Sequence, residues 1–475
     1  MSDEERELPP HLRSRLGGPL GHRARRALGK AMDQTKDRID SGRVGRAAKL
    51  SRLALSAGKH AIGQRFRGEE GRSTSGVGLA AEMLETFSEL RGVTMKLGQM
   101  LSYLDDALPP EARRVLTVLQ RDVAPMPWEK MAEVFEASLG KKPEEVFETI
   151  ETTALAAASI GQVHRATLPG GREVVVKIQY PGIAEAMKSD LQNARIFGLM
   201  QKTLAFSTDA AAITKELEDR FMDECDYRKE AAYQRAYRAR FEGHPIVVVP
   251  EVHDELVSEK VIVSDYAEGM GFYEWLDTQP SEAELARAAD TFFRFYLGSF
   301  YLDGLFNCDP HPGNYLFRDD GKIVFLDYGC CRRFTEERIG DWVNLLQCVT
   351  RDDILEMEEA AYRVGFFARG KVFDRTAYRE LMRYLYEAYL VDEPFTFREH
   401  RPKETFSKMF QHNANLFKMN MPADAVFLNR ITFGLVSLMG EMDARLSVRR
   451  KFESYVQGID EDWPEDPRRG QRFTV

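Results

Sequence analysis

Two short stretches decide how this 475-residue chain is read: Asn307-Cys308-Asp309-Pro310-His311-Pro312-Gly313-Asn314, and Phe325-Leu326-Asp327-Tyr328-Gly329, whose aspartate follows Asp309 by eighteen residues. Phosphoryl transfer from a nucleotide needs a cation on the phosphates, oxygen ligands for Mg2+ and a carboxylate beside the attacking hydroxyl or water. Asp309 and Asn314 stand five apart, the Asp-to-Asn spacing of the loop H-R-D-x-x-x-x-N. Lys322–Leu326 predicts a strand that runs into Asp327-Tyr328-Gly329, the place of the metal-binding D-F-G. Upstream, ALAAASIGQVHRATLPGGREVVVKIQYPG (154–182) predicts a strand pair around Pro169-Gly170-Gly171, with Val174–Ile178 buried. Lys177 closes VVVK behind the small-residue run Ala156-Ala157-Ala158-Ser159. Alone, Lys177 reads as a solvated strand-edge lysine and an aspartate in a Pro/Gly-rich loop as a turn former. The ordered set of Lys177, Asp309, Asn314 and Asp327 is what points to nucleotide chemistry.

Outward from these motifs, a helix is predicted near Trp128–Leu139 and others over Ile183–Leu204 and Ala211–Phe241. Short strands follow at Ile246–Val249 and Val261–Tyr266, and beyond Gly269 the chain reads as mostly helical. Residues 79–119 read as helices broken at Pro109-Pro110, after the linker 69–77. A mixed α/β lobe, a connector near Asp265–Gly269 and a helical lobe give a bilobal layout, with no internal repeat.

Six segments together resemble the UbiB/AarF family of atypical kinases: KLGQ (96–99), AAASIGQVH (156–164), VVVKIQYPG (174–182), ECDYRKEA (224–231), DPHPGN (309–314) and LDYG (326–329). The likeness runs from near Arg43 to near Tyr455. It implies an α+β, bilobal, protein-kinase-like fold with an added N-terminal helical KxGQ extension and a largely helical C-lobe. The expected order is a mobile basic leader (1–40), a basic amphipathic helix (41–68), the extension (69–150), an N-lobe with a helical insertion (151–267), the C-lobe (268–460) and a tail (461–475). The resemblance implies ATP and Mg2+ as cofactors. Lys177 would hold the α/β-phosphates and pair with Glu230, and Asp309 would stand at the base position. Asn314 and Asp327 would hold Mg2+. Ala156, Ala157, Ala158, Ser159, Asp265 and Ala267 would line the nucleotide. Lys96 and Gln99 would reach from the extension toward Glu224 and Asp226, a regulatory set. Read singly, Lys96 is a solvated helix lysine, and Glu224, Asp226 and Glu230 form a charged helix face.

The sequence also departs from ordinary protein kinases. The nucleotide loop carries alanines where glycines would be, which restricts it. CCRRFTEERIGDW after Gly329 turns helical by about Thr335 with no A-P-E, so little is left to dock a peptide. Arg is missing before Asp309, so control by a phosphorylated loop is not expected. The Tyr328 hydroxyl needs a partner. His311, in a Pro-His-Pro turn, is expected to brace its loop rather than bind metal, and His164 to be structural. Adjacent Cys330 and Cys331 are expected as thiols, because vicinal bridges are strained.

Net charge is -9, yet residues 13–67 hold 15 Lys/Arg against 3 Asp/Glu. An acidic body is a poor wrapper of nucleic acid, so any affinity for phosphate surfaces belongs to that arm. Its helical period over 43–66 serves either an anionic membrane surface or a helix docked on the body with a solvated basic face. Five cysteines without C-x2-C spacing fit a reduced compartment and no zinc clip. The acidic start MSDEERE does not make a secretory signal, and no apolar run approaches the roughly 20 residues of a membrane span. The expected location is cytoplasmic, peripheral on the inner face of a membrane. The leading reading is an ATP-binding, Mg-dependent atypical kinase or ATPase supporting ubiquinone or other isoprenoid-lipid biosynthesis. Its partners would be ATP, an anionic membrane surface or isoprenoid lipid, and lipid-biosynthesis enzymes. A lipid-alcohol kinase and a nucleotide-binding pseudokinase scaffold are the alternatives, and phosphorylation of a protein in trans is not expected.

Overall fold

The computed structural model describes residues 126–158, 160–191, 222–370, 372–397, 415, 418–420, 422–461 and 463–466. The leader, the basic helix, the linker, the KxGQ segment with Lys96 and Gln99, Ser159, residues 192–221 and residues 467–475 lie outside the described residues. The chain forms two compact units. The described part of the first comprises residues up to Leu191, Met222–Arg228 and His253–Tyr266. The second takes Lys229–Val252 and everything from Ala267.

The first unit is built on an antiparallel sheet of β1 (Thr149–Ile150), β2 (Ala156–Ala157), β3 (Gly161–Leu168), β4 (Arg172–Gln179) and, after β5 (Val247–Val248) of the other unit, β6 (Val261–Asp265). Its order is β1-β3-β4-β6, with β2 also on β3. The β3–β4 hairpin closes with Leu168 opposite Arg172. Gly170 and Gly171 take φ of +96° and +82° in that turn, which a side chain disfavours. Strand periodicity sets the rest: Val174, Val176 and Ile178 are fully buried on one face of β4, while Val175 and Lys177 point to the other. Helix α1 (Trp128–Leu139) buries Met131 and Phe135, one turn apart, and ends at Gly140 in the left-handed region. The short α2 (Pro143–Val146) and α3 (Ile183–Leu191) complete the unit.

The second unit begins within α4 (Tyr227–Arg240), whose first two residues group with the first unit. Its four-stranded sheet runs β5-β10-β9-β7, from β7 (Met270–Gly271), β9 (Tyr315–Phe317) and β10 (Ile323–Phe325). A separate ribbon pairs β8 (Leu305–Asn307) with β11 (Cys331–Arg333). Around these lie α5 (Phe272–Asp277), α6 (Glu282–Phe293), α7 (Glu336–Arg351), α8 (Ile354–Val364), α9 (Arg375–Leu385), α10 (Ala423–Glu441) and α11 (Val448–Val456). A π-helical segment, Arg294–Asp303, continues α6. Helix starts follow capping rules: Ser281 and Glu284 form a reciprocal box at α6, and Thr335 caps α7 where the sequence turns helical. The core is aromatic, with Phe295 stacked on Phe325 at 3.7 Å between centroids.

Two details differ from the sequence reading. The helix expected over Ala211–Phe241 is interrupted at Cys225–Asp226, before α4. Lys229–Val252, expected in the first lobe, belongs to the second unit because Tyr237, Phe241, Val247 and Val249 are buried in its core. Among the described residues no helix is long and apolar enough to cross a membrane.

Candidate active site

The residues expected to carry chemistry fall into two groups, one in each unit. In the second unit, β8 delivers Asn307, only 2% exposed, at the mouth of the Asp309 loop. Its Oδ1 accepts the Asp309 backbone N–H at 2.9 Å, and its Nδ2 donates to the Asp327 carbonyl at 2.8 Å. One amide therefore fixes both aspartate loops. The Asp309 carbonyl also accepts from the His311 backbone N–H (2.8 Å), Asn314 Nδ2 (3.2 Å) and the Tyr296 hydroxyl (3.2 Å). Burial and the neighbouring Tyr315, whose hydroxyl lies 2.7 Å away, push the Tyr296 hydroxyl well above its ordinary pKa and keep it a donor.

The second aspartate is tied in turn. Leu326 N–H donates to the Asn314 carbonyl at 3.0 Å, and Gly329 N–H to Asp327 Oδ1 at 2.8 Å. A Cβ on Gly329 would lie 3.3 Å from Asp327 Oδ1 and 3.5 Å from Glu230 Oε2, so the glycine leaves room for both carboxylates. Burial raises the Cys331 thiol well above its ordinary range, reinforced by Cys330, Asp327, Glu230 and Asp309. Glu230, Asp309 and Asp327 thus share one electrostatic neighbourhood. Among the described residues no three His, Cys, Asp or Glu side chains form a metal cage. Asn314 and Asp327 fit Mg2+ on those terms, because Mg2+ keeps several waters or phosphate oxygens in its shell.

The same loop settles its smaller questions. His311 Nδ1 accepts the Gly313 N–H at 3.0 Å, so it braces the loop. The Tyr328 hydroxyl donates to the Phe325 carbonyl at 3.0 Å. All five cysteines are thiols. Helix α10 lies against the loop: a Cβ on Gly434 would meet Pro310 Cγ at 2.4 Å.

In the first unit the backbone ladder does the positioning. Ala156 pairs with Val163 and Val163 with Lys177, so the alanine run and the lysine lie in line across three strands, roughly 10 Å apart at about 4.8 Å per strand. Ala158 N–H donates to the Gly161 carbonyl at 2.8 Å. A Cβ on Gly161 would strike the Ile178 carbonyl oxygen at 2.2 Å, which makes glycine obligatory there. The Lys177 ammonium lies 5.0 Å from the centroid of the Tyr227 ring. His164 is buried and structural, with Nδ1 2.8 Å from the Glu151 carbonyl and Nε2 3.0 Å from Gln162 Nε2.

Asp226 is half-buried and accepts from Arg228 Nε and Nη2, each at 2.8 Å; half-buried Glu224 is the last helical residue before the turn at Cys225. Asp265 ends β6, where Arg172 donates to it at 2.8 and 2.9 Å and His253 Nε2 lies at 3.1 Å. Partial burial opposes its charge, but Arg172 and His253 outweigh that and hold its carboxyl below the usual range. Ala267 sits half-buried in the second unit. A cavity of about 380 Å³ lies between α5, α6 and the β9–β10 hairpin, beside Trp275, Arg287 and Lys322, and contains none of the candidate residues. Sequence reasoning missed Asn307 and Tyr296. Asn307 is the first residue of the quoted motif, and its place two before Asp309 was the available signal.

Residues 118–361, just over half of the chain, match the ABC1 atypical kinase-like domain. The chain belongs to that family. Relatives include the mitochondrial atypical kinase COQ8B of Danio rerio, 28% identical over 90% of this chain and 71% of that protein. The mitochondrial atypical kinase COQ8 of Saccharomyces cerevisiae is 32% identical over 59% of this chain and 56% of its own length. The solved structure of Mycobacterium tuberculosis Rv3197 in complex with erythromycin is similar, with TM-score 0.56 and 27% identity, covering 84% of this chain and all of that one. The fold is kinase-like, as the UbiB/AarF resemblance implied. Lys177, Glu230, Asp309, Asn314 and Asp327 lie inside the ABC1 match; Lys96, Gln99 and everything from α9 onward lie outside it.

Proposed function

We propose that this chain binds Mg-ATP and turns it over at a membrane surface, in support of ubiquinone or other isoprenoid-lipid biosynthesis. The observation that carries the reading is the Asn307 bridge, which keeps the Asp309 and Asp327 loops in register while Asn314 is tied to the Asp309 carbonyl. Asp309 takes the proton of an attacking hydroxyl or water, and Asn314 and Asp327 hold Mg2+. When bound, Mg2+ neutralises charge developing on the transferred phosphoryl oxygens. Lys177 is the group proposed to hold the α/β-phosphates, with Glu230 proposed as its ion-pair partner. Ala156–Ser159, Asp265 and Ala267 line the nucleotide; the Asp265 carboxylate is engaged by Arg172 and His253, so its backbone is what it offers. Lys96, Gln99, Glu224 and Asp226 regulate access.

Water or a lipid alcohol is a better acceptor than a peptide. Only residues 330–334 separate Gly329 from the Thr335 cap, and three of them are spent in β11. The membrane role rests on the basic arm of 13–67.

The test is Mg-ATP hydrolysis by the full chain with and without anionic liposomes, alongside thermal stabilisation by Mg-ATP. Turnover stimulated by liposomes and loss of stabilisation in Asp327→Asn are expected. Undiminished stabilisation in that variant overturns the metal assignment. Nucleotide binding without turnover on any lipid turns the reading to a scaffold.

A further inference from the structure

We propose that residues 459–461 and 463–466 form a strap that seats the Glu230 helix on the unit bearing Asp309 and Asp327, with Arg240 as its positioning residue. The inference rests on the nucleotide reading for Glu230's role; the strap itself rests on packing and buried ion pairs.

Arg240 is the last residue of α4 and 4% exposed. Its Nε lies 2.6 Å from Asp303 Oδ1, its Nη1 2.7 Å from Asp466 Oδ2, and its Nη2 3.9 Å from Asp460 Oδ2. Fully buried Arg294 donates from Nε to Asp460, from Nη2 to Asp303 at 3.4 Å and from Nη1 to Ser299 Oγ at 3.3 Å. Room for Arg294 is made by Gly298: a Cβ there would lie 2.7 Å from Arg294 Cδ. Trp463 of the strap closes the cluster, 4.9 Å edge-on from the His244 ring and 5.5 Å from the Arg240 guanidinium carbon.

Charge makes the strap necessary. Two arginines are buried here, and Asp303, inside the ABC1 span, contacts both; Asp460 and Asp466 come from the strap, about a hundred residues past the end of that span. Buried cations stripped of these acids are strongly disfavoured, so the strap's carboxylates favour burial of the end of α4. A helix is stiff, and Glu230 stands ten residues before Arg240, about 15 Å along the same axis. Anchoring one end therefore sets the other, where Glu230 faces Gly329 and Asp327.

Asp466→Asn tests this while leaving Arg294 both of its acids. In the full-length protein without nucleotide, hydrogen exchange of the α4 amides should quicken by about tenfold while the β3–β4 amides stay unchanged. Unchanged α4 exchange overturns the strap, whatever the chemistry. Hydrolysis is then compared in a cycle with Glu230→Gln. Asp466→Asn should slow turnover in the parent and add nothing in the Glu230→Gln background. Equal fold-losses in both backgrounds remove the link to Glu230. If the parent shows no turnover, the catalytic reading fails and the exchange result still decides the strap. If Asp466→Asn does not fold, Trp463→Leu replaces it with the same expected pattern and the same overturning outcomes.

Discussion

Lys177 and Asp309 are held in place by different kinds of structure. Lys177 stands in the eight-residue strand β4, flanked on both sides by partners, so its position follows from a repeated backbone ladder. Asp309 and Asp327 stand in loops beyond three-residue strands, and their register depends on single side chains such as Asn307. Regular pairing spreads the work over many weak bonds, so no single neighbour is decisive. A loop site concentrates it in one or two buried amides. The comparison predicts that comparable substitutions cost far more in the second unit.

The largest expected effect is Asn307→Ala. It strands the Asp309 N–H and the Asp327 carbonyl together, at roughly 1–3 kcal/mol for each group left unsatisfied, and misplacement of the loops should cut any turnover about 100-fold. Urea unfolding and hydrolysis rates check it; a loss under about 1 kcal/mol would show that the loops hold themselves.

An intermediate effect separates the units by pH. Burial, aided by Arg294, lowers the His244 pKa from 6.5 to about 3. The unfolded chain then binds a proton that the folded one refuses, so stability is complete above pH 6.5 and falls as the pH drops toward 3. By pH 5 the loss should be about 2 kcal/mol, and His244→Asn should flatten it. In the first unit, burial also lowers the His164 pKa, but the Glu151 carbonyl opposes the shift; Asp265 has a lowered pKa too, so its contribution is present above the ordinary aspartate value of about 3.9 and disappears only below it. Hydrogen exchange across pH 7 to 4 should show the second unit loosening first; simultaneous loosening would erase the distinction.

The smallest effect is Arg172→Gln. Its ion pair with Asp265 is roughly half exposed on the arginine side and should be worth no more than about 1 kcal/mol, read as a slight shift in melting temperature.

The two modes of support also explain what could be read in advance. The β3–β4 hairpin, α1 and the Thr335 cap were legible because each is written locally, as alternation, helical period or a capping residue. The loop that carries Asp309 and Asn314 was legible from Pro310, Pro312 and Gly313. The turn at Cys225–Asp226 was not, since helix-compatible residues surround it and the turn is stabilised by Arg228 closing on Asp226. Nor was the allegiance of Lys229–Val252, which is decided by distant aromatic partners such as Phe295 against Tyr237 and Phe241. Strands β8 and β11 are three residues each, too short to carry a period.

Gly434 bears on how the protein can be cut. Its missing side chain lets α10 rest on Pro310, yet it stands more than seventy residues past the last position of the ABC1 match. Leu438, Met439 and Phe452 join the same core from beyond that limit. A fragment trimmed to residues 118–361 would keep Asp309 and Asp327 and lose the floor beneath them. The stretch that matches the family model is therefore smaller than the unit that folds.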